Sequence, residues 1–544
     1  MRFFHLISLF AIAISGIFLF SACHSQKTRA DLVFINGAEP ETLDPAIITG
    51  QPEGRIAQAL FEGLLSFGPD GKPVPGVAES WEISPDGKTY TFHLRRNAQW
   101  SNGTPLTARD FVASWKRVLT PETGALYNYI LFPILHAEDY AEGRIADFSE
   151  VGVKALDDHT LMVTLENPTP YFLDLCAFVT YQPVPVAQIE KLGDSWIKPK
   201  NIIGNGAYIL EKWRINDVIR LRKNPAYWDA KNVSLETIDI LPIAKAGTAF
   251  NFYAGGMADL LMDKGLAPPQ LLDTLKTRKD FHASPFLGIY FLRFNCARPP
   301  FDDPKIRRAF AMAVDKSILT NKITRAGELP ATSFVPPGLE GYTSPEAPSF
   351  DPKEAARLLA EAGFPKGSGF PLVTYLYSEG EINEAIAVEL QNMWKTHLGI
   401  HVNLARQEWK VYLNSMNTLD YDICRSSWVG DYPDPMTFLD MFLTDGGNNR
   451  TGWSSPDYDR LIREAHAEAD SQRRAHLLFE AEKLLIDTQV PVVPIFYYVG
   501  IQLYDPEKWG GIHPNLLDEH PLKSIYRKPS SFAVPPQGEP SPQK

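Results

Sequence analysis

Cysteine is scarce in this chain. Four occur in 544 residues, at Cys23, Cys176, Cys296 and Cys424; apart from Cys23, the other three are far apart and odd in number, which argues against a disulfide framework and leaves room for at most one bridge among them in an oxidising compartment. Positive charge is in deficit, with 53 Lys and Arg against 65 Asp and Glu. Residues 1–22 carry Arg2 and no acid, so their removal makes the balance more negative still. Such a surface argues against nucleic acid or anionic lipid as a partner.

Local catalytic signatures are missing too. G-x-S-x-G, H-E-x-x-H, C-x-x-C and G-x-x-x-x-G-K-[ST] do not occur, which removes the motif-bearing hydrolases, zinc proteases and phosphate-loop enzymes. His397 and His401 are four apart but straddle Gly399, which is placed to end the helix that would stack them, so no metal is expected there. Gly204 and Gly206 in "GNGAYI" lack the last glycine of a dinucleotide loop and precede a strand-like run, which reads as a turn.

The chain does have ample apolar material, 44% with 12% aromatic, enough for two or three domains. "MRFFHLISLFAIAISGIFLFSAC" reads as a secretory signal ending at a cysteine. The rival reading is an uncleaved anchor, because Phe3 to Phe20 is near the lower length limit for a spanning helix. Either places the remaining chain outside the cytoplasmic membrane.

"WEISPDGKTYTFHL", Trp81 to Leu94, predicts two strands around a turn, with Tyr90, Phe92 and Leu94 on one face, and Val153 to Leu165 repeats the unit. Between them Thr107 and Asp110 approximate a capping box before Phe111, Trp115, Val118 and Leu119 at helical spacing. Near Asn201 the texture turns to strands, and from Phe301 to helices. Asp303-Pro304 and Asp351-Pro352 open two, and Ile382 to His397 is a third with Ile386, Leu390, Met393 and Trp394 on its buried stripe. Each should be followed by a strand, giving α/β units. The last residues are Pro-rich, with the composition of a disordered tail.

One stretch gathers charge: "RSSWVGDYPDPMTF", Arg425 to Phe438. Asp431 and Asp434 could form a glycosidase-type pair, which needs carboxylates about 5–10 Å apart. Pro433 and Pro435 forbid a regular helix there, and nothing else supports catalysis. Asp434 reads as a turn former, and the protein is not expected to be an enzyme.

"ETLDP" (Glu41 to Pro45), "LFEGLL" (Leu60 to Leu65), Pro73 to Trp115, "RPPFDDPKIRRAFAMAVDK" (Arg298 to Lys316) and "QEWKVYL" to "WVGDYPDP" resemble, in order from about Asp31 to Tyr526, the oligopeptide-binding proteins of bacterial ABC importers, within extracellular solute-binding protein family 5. The resemblance implies a mixed α/β (α+β), two-lobed, hinged periplasmic-binding-protein fold of the type II Venus-flytrap kind with an inserted domain. The implied division is a lipoprotein signal at 1–22, a lipidated linker at 23–30, lobe I at 31–61, 186–287 and 499–528, the inserted domain at 62–185, lobe II at 288–498 and a disordered tail at 529–544. "LFSAC" resembles a lipobox in which Cys23 is acylated, although Phe20 stands where leucine is usual.

What this implies functionally is a monomeric receptor of the periplasm or cell envelope, lipid-anchored to a membrane. It would bind peptides without a cofactor and hand them to the permease and ATPase subunits of an importer. By resemblance Asp431 takes the ligand ammonium, Arg425 its carboxylate side, and Trp428, Trp409 and Tyr127 line the cleft. The main chain at Ser427 and Val429, and near Thr49 and Gln51, pairs with the ligand backbone. Asn383 and Ala311 stand where relatives suited to long peptides carry a histidine and a lysine. Gly288 and Val429 replace a cysteine pair bridged in some members. The same fold with other cargo (dipeptide, murein peptide, nickel chelate or haem), or a peptide sensor without an importer, are the alternatives.

Overall fold

The computed structural model describes residues 29–529. The signal, Cys23 and the tail from 530 onward lie outside the described residues. Within them no helix is long and apolar enough to cross a membrane.

A single sheet of eleven strands runs through the molecule. Its strands are β1 (Leu32–Ile35), β2 (Tyr208–Arg214), β3 (Val218–Lys223), β4 (Thr237–Leu241), β5 (Leu260–Met262), β6 (Phe281–Phe294), β7 (Leu329–Pro330), β8 (Val373–Ser378), β9 (Val402–Gln407), β10 (Ile423–Val429) and β11 (Val492–Tyr504). The order is β9-β8-β10-β6-β11-β5-β1-β4-β3-β2, with β7 on β11. Parallel pairs (β1 with β4 and β5, β8 with β9 and β10) sit toward the two ends, and the antiparallel pair β6–β11 joins them.

Those joining strands are the longest, 14 and 13 residues, because each crosses from one half to the other. Their ladder slips in the middle: Pro285 faces Val499, yet Ile289 faces Tyr497. Four residues of β6 are thus accommodated against two of β11, a bulge that bends and twists the pair. Beyond it on one side lie β10 and β7, and on the other β11 meets β5. The slip falls where the resemblance sets the lobe limits, Gly288 and Tyr498.

Outside this sheet, Ala78–Ile83, Thr89–Leu94, Thr160–Thr164 and Val153–Asp157 form a four-stranded antiparallel sheet in that order. Tyr90, Phe92 and Leu94 are its buried face. The helix Ala108–Leu119 packs there, its Thr107–Asp110 capping box formed and Phe111, Trp115, Val118 and Leu119 buried. Asp303 and Asp351 each accept a backbone N–H at the start of their helices, and Glu381–Leu398 buries Ile386, Leu390, Met393 and Trp394 before ending at left-handed Gly399.

The expectation of a strand after each helix fails once. The helix Pro304–Met312 is followed by further helical turns through Thr324, and only the two-residue β7 comes after. The turn at Gly204 and Gly206 has a steric reason: a Cβ on either would stand 2.0 and 2.5 Å from the carbonyl oxygens of Leu60 and Ala59, at the end of the helix Gln51–Leu60. Cys176, Cys296 and Cys424 are unbridged. Gly288 and Val429 face each other across β6 and β10.

Candidate functional site

Strand β10 carries the charge-bearing stretch and leaves one edge open. On one side it pairs with β6 over its whole length, from Gly288↔Val429 to Phe294↔Ile423. On the other, β8 pairs only at Tyr375↔Ile423 and Leu376↔Cys424. Backbone groups alternate between the two edges of a strand. The carbonyl of Arg425 points away from β6, since the Tyr412 hydroxyl donates to it, whereas the Gly430 N–H donates to Leu287 on β6. Odd positions therefore face the open edge. Ser427 and Val429 present their N–H and C=O groups there, and Val429 is 38% exposed.

The strand ends at Gly430, where a Cβ would stand 2.7 Å from the Leu287 side chain. That close packing turns the next residue, Asp431, into a cavity of about 290 Å³ whose walls include Thr49, Gln51, Tyr127, Phe178 and Val429. The Asp431 carboxylate accepts one hydrogen bond from Tyr129 at 3.2 Å and, among the described residues, forms no ion pair. Burial pushes its pKa up from the ordinary 3.8 to about 7, the Tyr129 bond opposing. Asp518 and Glu519 also line the cavity, against one guanidinium, Arg55. Glu519 too is raised by burial, with Arg55 and Gln58 pulling it back. The arrangement suits a cation that displaces water from Asp431.

Further along the same stretch, Asp434 forms the turn expected of it and an ion pair besides: its two oxygens accept from Nη2 and Nη1 of Arg474 at 2.8 Å each, and both residues are 7% exposed. Asp434 also accepts the Met436 N–H at 2.9 Å. The Arg474 guanidinium lies 5.9 Å from the ring of Tyr171, which stacks on Tyr432 at 4.1 Å and 6°. These contacts fix the turn that presents Asp431. Asp440, with a pKa pushed to about 7 by burial and then by the charges of Asp431 and Asp434, adds to the acidic surroundings.

Arg425 sits at the other end of β10. Nη2 lies 3.5 Å from the Tyr498 hydroxyl, the guanidinium stands 5.1 Å from the centre of the Tyr290 ring, and Nε has no hydrogen-bond partner. Among the described residues it forms no salt bridge with a carboxylate. Ala311 is 4% exposed, and the Asn383 amide donates to Ser378. Neither supplies charge.

The aromatic residues divide. Tyr127 belongs to the cavity, its ring 5.5 Å from that of Tyr129 and 6.1 Å from Phe178. Trp409, at the start of the helix Trp409–Asn417, is 51% exposed and stacks on Tyr412 at 5.5 Å, which is not a core position. Trp428 is partly buried against the main core, and its indole N–H lacks a partner. Thr49, Gln51, Tyr127, Val429 and Asp431 thus share one cavity, whereas Arg425, Ser427, Trp428, Trp409 and Asn383 stand outside its walls. The sequence alone does not single out Tyr129 or Arg474; neither carries a local signal, since Tyr129 reaches Asp431 across 302 residues and Arg474 reaches Asp434 across 40.

The model of bacterial extracellular solute-binding proteins, family 5 Middle, matches residues 72–450. The periplasmic oligopeptide-binding protein OppA of Salmonella typhimurium is 39% identical over 509 residues, 92% of either chain. The periplasmic murein peptide-binding protein MppA of Escherichia coli is 37% identical, covering 86% of this chain and 88% of that one. The crystal structure of Haemophilus influenzae OppA in complex with the peptide RPPGFSPFR superposes with a TM-score of 0.78 at 36% identity, over 92% of this chain and all of that one.

Proposed function

The chain belongs to bacterial extracellular solute-binding protein family 5, and from that premise we propose that it is an extracytoplasmic receptor that captures extended oligopeptides between two lobes and delivers them to an ABC importer. The observation that carries this reading is the open edge of β10 leading directly to an unpaired carboxylate. A peptide has a backbone that can add to a strand edge and an ammonium that needs an acid.

In this reading Ser427 and Val429 pair with the ligand main chain from one side, while Thr49 and Gln51 meet it from the other. Asp431 takes the ammonium, with Tyr127 beside it, and Arg425 the carboxylate. Trp428 and Trp409 cover apolar ligand groups, and Asn383 borders the far end without charge. Extended residues advance about 3.3–3.6 Å each, so the spacing of Asp431 and Arg425 sets the ligand length that engages both charges. Backbone pairing reads no side chains, which supports a broad ligand range.

The bulge between Pro285 and Ile289 supports a hinge at the lobe limits named above, with residues 62–185 as the inserted domain. Acylation at Cys23 would hold the monomer to a membrane beside the permease and ATPase. The reaction is binding, and no bond in the ligand is broken. Native mass spectrometry of the purified full chain tests this: heterogeneous peptides, mostly of three to five residues with free amino termini, should copurify intact. Recovery of a single non-peptide ligand, or of freshly cleaved fragments from an added peptide, would refute it.

A further inference from the structure

Next to the Arg425 end of the cleft a second cavity, of about 420 Å³, opens at the hinge bulge. Its walls include Phe286 on β6, Leu329 on β7, Pro336, Pro337, Leu516 and Tyr498, and no charged residue lines it. Tyr498 belongs to both places. Its hydroxyl lies 3.5 Å from Arg425 Nη2, while its ring forms part of the apolar wall. The ring can lie across β6 because Gly288 has no side chain: a Cβ there would stand 2.9 Å from Tyr498 Cδ2. Leu329, at the mouth, is 57% exposed, apolar surface that a ligand group entering the cavity would cover.

We propose that this cavity receives the side chain of the ligand's last residue, the one whose carboxylate Arg425 holds, and that the receptor therefore prefers peptides ending in a large apolar or aromatic residue. The inference rests on the peptide-receptor reading above and adds a specificity that backbone pairing cannot supply. An apolar side chain gains by leaving water for these walls, whereas a charged one would be stripped of water with no partner to meet it.

Calorimetric titration with Ala-Ala-Xaa tripeptides, Xaa being Ala, Leu, Phe, Glu or Lys, tests it. On the unaltered protein Leu and Phe should bind at least tenfold more tightly than Ala, and Glu more weakly than Ala. In Leu329→Glu the Phe-over-Ala ratio should fall at least fivefold and the Lys-ended peptide should gain relative to Phe. Leu329 is exposed, so folding is not at stake, and the ratio cancels any general loss. Equal affinities across the series, or a preference untouched by L329E, overturns the proposal and assigns the cavity to some other occupant. Failure of every tripeptide to bind would instead overturn the receptor reading itself.

Discussion

Asp431→Asn is expected to weaken binding of free-amine tripeptides by at least a hundredfold and to leave the empty protein more stable at neutral pH. At about 4 Å an ammonium–carboxylate pair is worth roughly 4 kcal/mol at an effective dielectric constant of 20, against about 1 kcal/mol in water. A hundredfold loss is about 2.7 kcal/mol, well within that range after desolvation is subtracted. The Tyr129 hydroxyl, which donates to the carboxylate in the parent, can donate equally to the amide oxygen of the D431N side chain, so the change removes charge with little loss of shape.

The pH dependence carries the same assignment. Unfolded, Asp431 ionises near 3.9; folded and empty, near 7. The unfolded chain thus loses this proton more readily, and the empty protein loses stability as pH rises from about 4 to 7 and does not regain it above. D431N removes that loss, so the variant's stability should not fall between about pH 4 and 7. Binding runs the other way. The ligand ammonium needs the ionised form, so affinity should rise with pH up to about 7 and decline again as the ligand's amino group deprotonates above roughly 8. In D431N the acidic limb should vanish; a limb of unchanged slope would move the ammonium site elsewhere.

Arg474→Met is the second large effect, and it falls on stability. Removing one partner of a buried ion pair leaves the other charge uncompensated at a cost of about 3–5 kcal/mol. Here Asp434 would be stranded at 7% exposure, and the turn under Asp431 would lose its link through Arg474 to Tyr171, keeping only the Tyr171–Tyr432 stack. The combined change Asp434→Leu with Arg474→Met should recover much of the denaturation midpoint, because it removes both charges together. A single R474M variant as stable as the parent would mean that the pair does not hold the turn.

Much of the architecture can be read from the residues because its signals are local. The capping residues Thr107, Asp303 and Asp351 and the alternation of Tyr90, Phe92 and Leu94 each specify a helix start or a strand face without reference to distant parts. The open edge of Ile423–Val429 is not legible in this way, since it depends on where β8 stops pairing. The turn at Asp434 is legible from its flanking prolines, but its ion pair is not, because the partner stands 40 residues away. Pro304–Met312 misleads in a simpler way: the α/β rhythm predicts a strand after it, and further helical turns occupy that length instead. The division into lobes comes from family resemblance, and periodicity alone does not suggest that β6 and β11 would each span two halves.

The central claim is capture of a peptide by its free amino terminus. Titrating the wild-type protein with one tripeptide and with its N-acetylated form tests it most directly, because acetylation removes the ammonium and keeps the backbone and side chains. At pH 7 the free form should bind at least a hundredfold more tightly; equal affinity for the two forms would contradict the account.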